Sequence, residues 1–135
     1  MPIINHTDLF AIRERHKDEK IVFCSGAFDL THAGHVLFFE DCKRHGDVLV
    51  VALGSDALAV KIKGPSRPIL NEELRLKMVS SLKPVDYCFV DRTPLDRPPL
   101  TLLDGVFEAL RPNAYVINED AFDIPYRQAV TAQFG

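Results

Sequence analysis

The run Val48-Leu49-Val50-Val51-Ala52-Leu53 constrains this chain more than any other segment. With no polar residue alternating along it, the run has no side to offer to water, so it predicts a strand covered on both faces, as in parallel sheets. Ile21-Val22-Phe23-Cys24 reads the same way and is closed by Ser25-Gly26. Between these runs lies a helical pattern from about Gly34 to His45, with Val36, Phe39 and Cys42 on one face and Gly46 where a C-cap glycine is expected. Thr7 or Asp8 can cap an earlier helix over roughly Leu9 to Lys17.

Further along, residues 56–63 read as a short helix, followed by the loop Gly64-Pro65-Ser66-Arg67-Pro68. Asn71 caps a helix in which Leu74, Met78 and Leu82 recur at every fourth position, and Pro84 stops it. Tyr87 to Val90 predicts a third strand, Thr93 to Pro99 a proline-rich loop, Leu100 to Leu110 a helix, and Tyr115-Val116-Ile117 a fourth strand. Asp123 to Phe134 reads as a last helix, with Pro125 tolerated in its first turn.

Strands alternating with helices predict right-handed crossovers and an α/β, Rossmann-like three-layer fold: a mainly parallel sheet flanked by helices. The 135 residues, with no internal repeat, fit one domain over 1–135. Ligands of such sheets bind at the carboxyl ends of the strands. The first strand ends at Gly26-Ala27-Phe28-Asp29, directly ahead of His32 and His35.

The formal charge of −3 argues against a general nucleic-acid surface, without excluding one nucleotide in a locally positive pocket. Cys24, Cys42 and Cys88 are odd in number and lack CxxC spacing, which suggests reduced thiols. No run approaches the ~20 apolar residues of a membrane span. The amino terminus lacks the apolar centre of a signal peptide, so a cytoplasmic protein without a membrane partner is expected.

The segment from Ser25 to His35 carries the chemistry. Gly26 leaves room for a phosphate near the backbone, and Gly34 permits a tight start to a helix whose first-turn N–H groups favour an anion. His32 and His35 bracket that turn, so both imidazoles can point at one phosphate and stabilise charge that grows on it during in-line transfer. A histidine near a helix start is more often a cap or a solvated side chain, and HxxH alone is a weak metal signal. Metal ligation by His32, His35 and Asp29 is therefore the lesser alternative. The preceding buried strand, the glycine and the following amphipathic helix favour phosphate chemistry.

Gly26-Ala27-Phe28-Asp29-Leu30-Thr31-His32-Ala33-Gly34-His35 resembles the GxFDxxHxGH signature of the cytidylyltransferase-like nucleotidyltransferases. The resemblance continues through Gly46-Asp47, Ser55-Asp56, Lys63-Gly64-x-x-Arg67-Pro68, Glu73-x-x-x-Lys77 and Val85-Asp86, covering roughly residues 20 to 120. The Lys-Gly-x-x-Arg-Pro loop is most similar to the adenylyltransferase domain of bacterial heptose-phosphate enzymes, with glycerol-phosphate cytidylyltransferases next.

The resemblance implies transfer of a nucleoside monophosphate from ATP or CTP to a phosphorylated sugar or polyol, with pyrophosphate released and adenine favoured. It implies that His32 and His35 hold the triphosphate and stabilise the transition state, with Lys63 as the third catalytic group. Gly26, Ala27, Phe28, Asp29 and Gly34 would lie about the triphosphate, with Arg67 assisting Lys63 and Arg75 facing the nucleotide. Asn118 and Asp120 would stand near the base or sugar. Mg2+ would be carried by the triphosphate and not by protein ligands. Relatives often form dimers, so a homodimer is one expected state.

Each assignment has a plainer counterpart. Lys63 and Arg67 could be solvated loop charges, Arg75 a surface residue paired with Glu72, and Asp29 a cap of the histidine turn. The chain departs from the family in two places. Glu119 stands where relatives have a glycine, and the sequence stops at Gly135, before the Ser/Thr-rich helix start that holds the β- and γ-phosphates in relatives. A non-catalytic nucleotide-binding or regulatory domain of the same fold is the competing reading.

Overall fold

Two apolar faces on every central strand require two layers of helix, and the chain supplies both. The computed structural model describes residues 3–26, 28, 32–57, 60, 70–92, 102–117 and 128. After a 3-10 turn at His6–Asp8 come α1 (Leu9–Arg15), β1 (Ile21–Gly26), α2 (Ala33–Lys43) and β2 (Val48–Gly54). They are followed by α3 (Glu72–Ser80), β3 (Tyr87–Asp91), α4 (Leu102–Leu110) and β4 (Ala114–Tyr115). Residues 56, 57 and 60 are helical, within the short helix expected there. The loop expected over Thr93 to Pro99 and, but for residue 128, the last helix lie outside the described residues.

The strands form a parallel sheet in the order β3-β2-β1-β4. Ile21 to Gly26 pair in register with Val48 to Leu53, and Val50 to Gly54 with Tyr87 to Asp91. The period-two pleat sorts the two long apolar runs. Ile21, Phe23, Val48, Val50 and Ala52 pack with Leu9 and Ile12 of α1 and with Leu103, Val106, Phe107 and Leu110 of α4. Val22, Cys24, Leu49, Val51 and Leu53 face the other way, onto Phe39 and Cys42 of α2 and Val79 of α3. A fully buried side chain of this kind stabilises the fold by about 1.5–3 kcal/mol.

The chain moves from β1 to β2 to β3 in one direction and then crosses to the far side of β1 to form β4. Strand order therefore reverses between β1 and β4, and the crevice at their carboxyl ends is where such sheets receive ligands. At the opposite edge, Arg13 donates to the carbonyls of His16 (2.7 Å), Glu19 (2.8 Å) and Arg111 (3.1 Å), clamping α1 to the end of α4. At the far end of α2, Lys43 pairs with Asp86, whose carboxylate also accepts the Leu49 N–H at 2.8 Å.

Several sequence expectations need correction. The four-residue recurrence of Leu74 and Met78 does not mark a core face: they are 52% and 44% exposed, and α3 turns Arg75 and Val79 inward. Gly46 is not a left-handed cap, because α2 is capped by Arg44 in ordinary helical geometry and the φ of Gly46 lies outside the left-handed region. A glycine is needed there for closeness, since a Cβ would meet the Lys20 carbonyl oxygen at 2.8 Å. The fourth strand comprises Ala114 and Tyr115 and not residues 115–117. Asp8 precedes α1 without a side-chain capping bond. Asn71 does cap α3, its side chain accepting the Leu74 N–H at 2.9 Å.

Candidate functional site

β1 ends at Gly26, and α2 begins at Ala33 with His32 as its N-cap in extended conformation. This puts both histidines at the carboxyl edge of a strand beside the reversal of strand order. The His32 Nδ1 accepts the Gly34 N–H at 3.0 Å, and the His35 Nδ1 accepts the His32 N–H at 3.2 Å. A ring nitrogen that accepts an N–H carries no hydrogen of its own, so in the neutral imidazoles the hydrogen sits on Nε2. Each ring is thus held by one nitrogen and left as a donor at the other. Their centroids are 4.2 Å apart and their planes are inclined by 39°.

Burial lowers the pKa of His35 from its ordinary 6.5, and repulsion from His32 adds to the shift. His35 is therefore neutral near pH 7, the state its bond to the His32 N–H requires. The Gly34 amide, expected to face an anion, bonds to His32 instead. With that amide engaged, the imidazole Nε2–H groups are donors that this helix start presents.

The glycines of the motif are needed because aromatic rings crowd them. A Cβ on Gly34 would lie 2.8 Å from Cε1 of His32, and one on Gly26 would lie 2.9 Å from Cζ of Phe28. Phe28 itself holds a left-handed φ of 48°, unusual for an aromatic residue. Its ring packs edge-on against His35 at 5.6 Å and tilted against Phe39 at 4.9 Å. Sequence reasoning placed the Phe28 backbone beside the ligand but missed the ring as a floor under His35. The signal was an apolar residue between a glycine and a histidine pair.

Arg75 sits on the same carboxyl edge, at the end of β2, and is fully buried. Among the described residues it pairs with Asp56 at 2.9 Å, in place of the surface pairing with Glu72 weighed from sequence; Glu72 pairs with Arg92. Asp56, Glu72 and Arg92 were not anticipated from sequence as a group, because their proximity depends on the crossover between β2 and β3. Lys63, Ala27, Asp29, Arg67, Asn118 and Asp120 lie outside the described residues. Of the expected site residues, the fold brings together Gly26, Phe28, His32, Gly34 and His35, with Arg75 beyond them on β2's side.

A family model described as cytidylyltransferase-like matches residues 23–131. The chain belongs to the cytidylyltransferase-like family. Among its relatives is the bifunctional protein HldE of Methylobacillus flagellatus, 38% identical over 108 residues, covering 78% of this chain and 20% of that protein. The HldE protein of Helicobacter acinonychis is 37% identical over 123 residues, covering 90% and 24%. The chain thus spans about a fifth to a quarter of the length of these curated relatives. A crystal structure of a lipopolysaccharide core biosynthesis protein from Thermoplasma volcanium superposes with a TM-score of 0.69 at 29% identity, covering 87% of this chain and 89% of that one. Family membership agrees with the Rossmann-like sheet and with the resemblance carried by the histidine motif.

Among the described residues, no group of three His, Cys, Asp or Glu side chains could hold a metal ion. No helix among them is long and apolar enough to cross a membrane.

Proposed function

We propose that this domain transfers a nucleoside monophosphate from a nucleoside triphosphate to a phosphorylated sugar or polyol. The observation that carries the reading is the paired anchoring of His32 and His35 through Nδ1. It leaves two Nε2–H donors side by side at a strand-order reversal. A phosphate oxygen of the acceptor attacks the α-phosphorus, the bond from that phosphorus to the bridging oxygen of the β-phosphate breaks, and pyrophosphate departs. Negative charge growing on the non-bridging oxygens of the α-phosphate is stabilised by the two donors, and no covalent protein intermediate is needed.

Mg2+ enters as part of the triphosphate substrate, which keeps much of its water shell. Lys63 is assigned to the triphosphate or the attacking phosphate, with Arg67 beside it. Asn118 and Asp120 are assigned to the base or sugar. The Lys63-Gly64-x-x-Arg67-Pro68 pattern favours adenine over cytosine. The likeness to a lipopolysaccharide core biosynthesis protein supports an acceptor of the saccharide class.

The test is pyrophosphate release with ATP and CTP, each paired with sugar phosphates and with glycerol phosphate. His35→Ala should slow turnover by about 100-fold or more, the scale of a lost transition-state donor. Turnover as fast as the parent's would reject the mechanism. Triphosphate binding without pyrophosphate release from any pair would favour the non-catalytic reading.

A further inference from the structure

Arg75 is the largest of the fully buried side chains among the described residues, at 0% exposure. Its Nη1 donates to the Gly54 carbonyl at 2.7 Å, its Nη2 to Asp56 Oδ1 at 2.9 Å, and its Nε to the Leu70 carbonyl at 3.0 Å. Gly54 and Asp56 stand before the connection 57–69 and Leu70 stands after it, so one guanidinium holds both of its ends. Glu72 adds a second tie: its Oε1 accepts the Asp56 N–H at 3.0 Å, while its other oxygen pairs with Arg92, which follows β3. The connection held in this way carries Lys63 and Arg67.

A planar fork that meets three acceptors among the described residues in fixed directions does what a lysine ammonium cannot, and a buried guanidinium persists only where its partners are in place. Fixing both ends of a connection restricts where any residue along it can be found. We propose that Arg75 is a positioning residue: by fastening Gly54 and Asp56 to Leu70 it sets where the Lys63-bearing connection leaves and rejoins the sheet edge. It acts on transfer through Lys63 and not by touching substrate. This rests on, and deepens, the nucleotidyl-transfer reading.

Two measurements test it. Trypsin can cut after Lys61 and Lys63 in this connection, whereas the bond from Arg67 to Pro68 resists it. In folded Arg75→Lys, these cuts should come about 10-fold faster than in the parent, while cuts after Arg13 and Arg44 keep their rate. Asp56→Asn retains the guanidinium and weakens one of its bonds, so a smaller acceleration at the same sites is expected, and this variant decides the matter if Arg75→Lys does not fold. Unchanged cutting in a folded variant overturns the proposal.

The second measurement is a double-mutant cycle with Lys63→Ala. If Arg75 acts through Lys63, kcat/KM of the double variant should stay within about 2-fold of Lys63→Ala alone. Losses that multiply, or a slow Arg75→Lys beside an unaffected Lys63→Ala, overturn the route through Lys63. If the parent releases no pyrophosphate with any pair, the transfer reading fails, and the trypsin comparison still decides whether Arg75 ties the connection.

Discussion

The Gly34 N–H donates to His32 Nδ1 at 3.0 Å, and a Cβ on Gly34 would sit 2.8 Å from Cε1 of the same ring. The residue that anchors the imidazole is therefore also the one with no room for a side chain. Gly34→Ala should raise helix propensity by up to about 1 kcal/mol while pushing the ring off its anchor. Activity and stability should separate: kcat/KM falls about 10- to 100-fold, as for a misplaced catalytic group, with the melting temperature unchanged or higher. A variant that loses stability and activity together would contradict this.

The acid side of the stability profile should carry the signature of His35. Its folded pKa is lowered from 6.5, first by burial and then by His32. The unfolded chain therefore takes up this proton at a higher pH than the folded chain does. The corresponding stability is present above the unfolded value and is lost as pH falls through the folded one. Urea midpoints compared at about pH 7.5 and about pH 5 should drop further for the parent than for His35→Gln, which has no such group to titrate. Equal drops would show that His35 is not held neutral by its surroundings.

Phe28 supports His35 from below, and its left-handed backbone is the strained part of the motif. Phe28→Leu keeps an apolar side chain but loses the flat edge, so it should destabilise the fold by about 1 kcal/mol. Turnover should fall by about 10-fold because the imidazole above is less well aimed. Steady-state kinetics together with a denaturation curve checks both numbers.

All three thiols should be silent in the native state. Cys24, Cys42 and Cys88 are free and buried. Burial pushes Cys88 up to about 12, and burial followed by the contact with Cys42 raises Cys24. The hydrogen bond from Cys24 lowers Cys42, but its sulfur remains out of reach of solvent. A colorimetric thiol reagent at mild alkaline pH should label none of them until denaturant is added. Rapid labelling of Cys42 in the folded protein would count against this packing.

The sheet was legible because its central strands are apolar on both faces, and no other placement hides Ile21–Cys24 and Val48–Leu53. The histidine pair was legible because a short motif fixes its own geometry: N-cap, glycine and second histidine all lie within one turn. The inward face of α3 was not legible. A four-residue apolar rhythm pointed to Leu74 and Met78, yet the inward position belongs to an arginine whose burial depends on carbonyls at Gly54 and Leu70. Propensity and periodicity do not register such long-range partners. Gly46 was misread for a related reason, since closeness to Lys20 is a tertiary fact and a helix-ending glycine is a local one.

The Lys43–Asp86 pair and the Leu49 N–H bond fasten the far end of α2 to the sheet, while its near end is knotted by the two histidines. A rod secured at both tips has little freedom to slide along its axis. Adjustment to an arriving anion is then left to small rotations of two rings, whose ordering was completed when the chain folded. On the proposed reading, a nucleotide meeting this surface should encounter a helix already set in place.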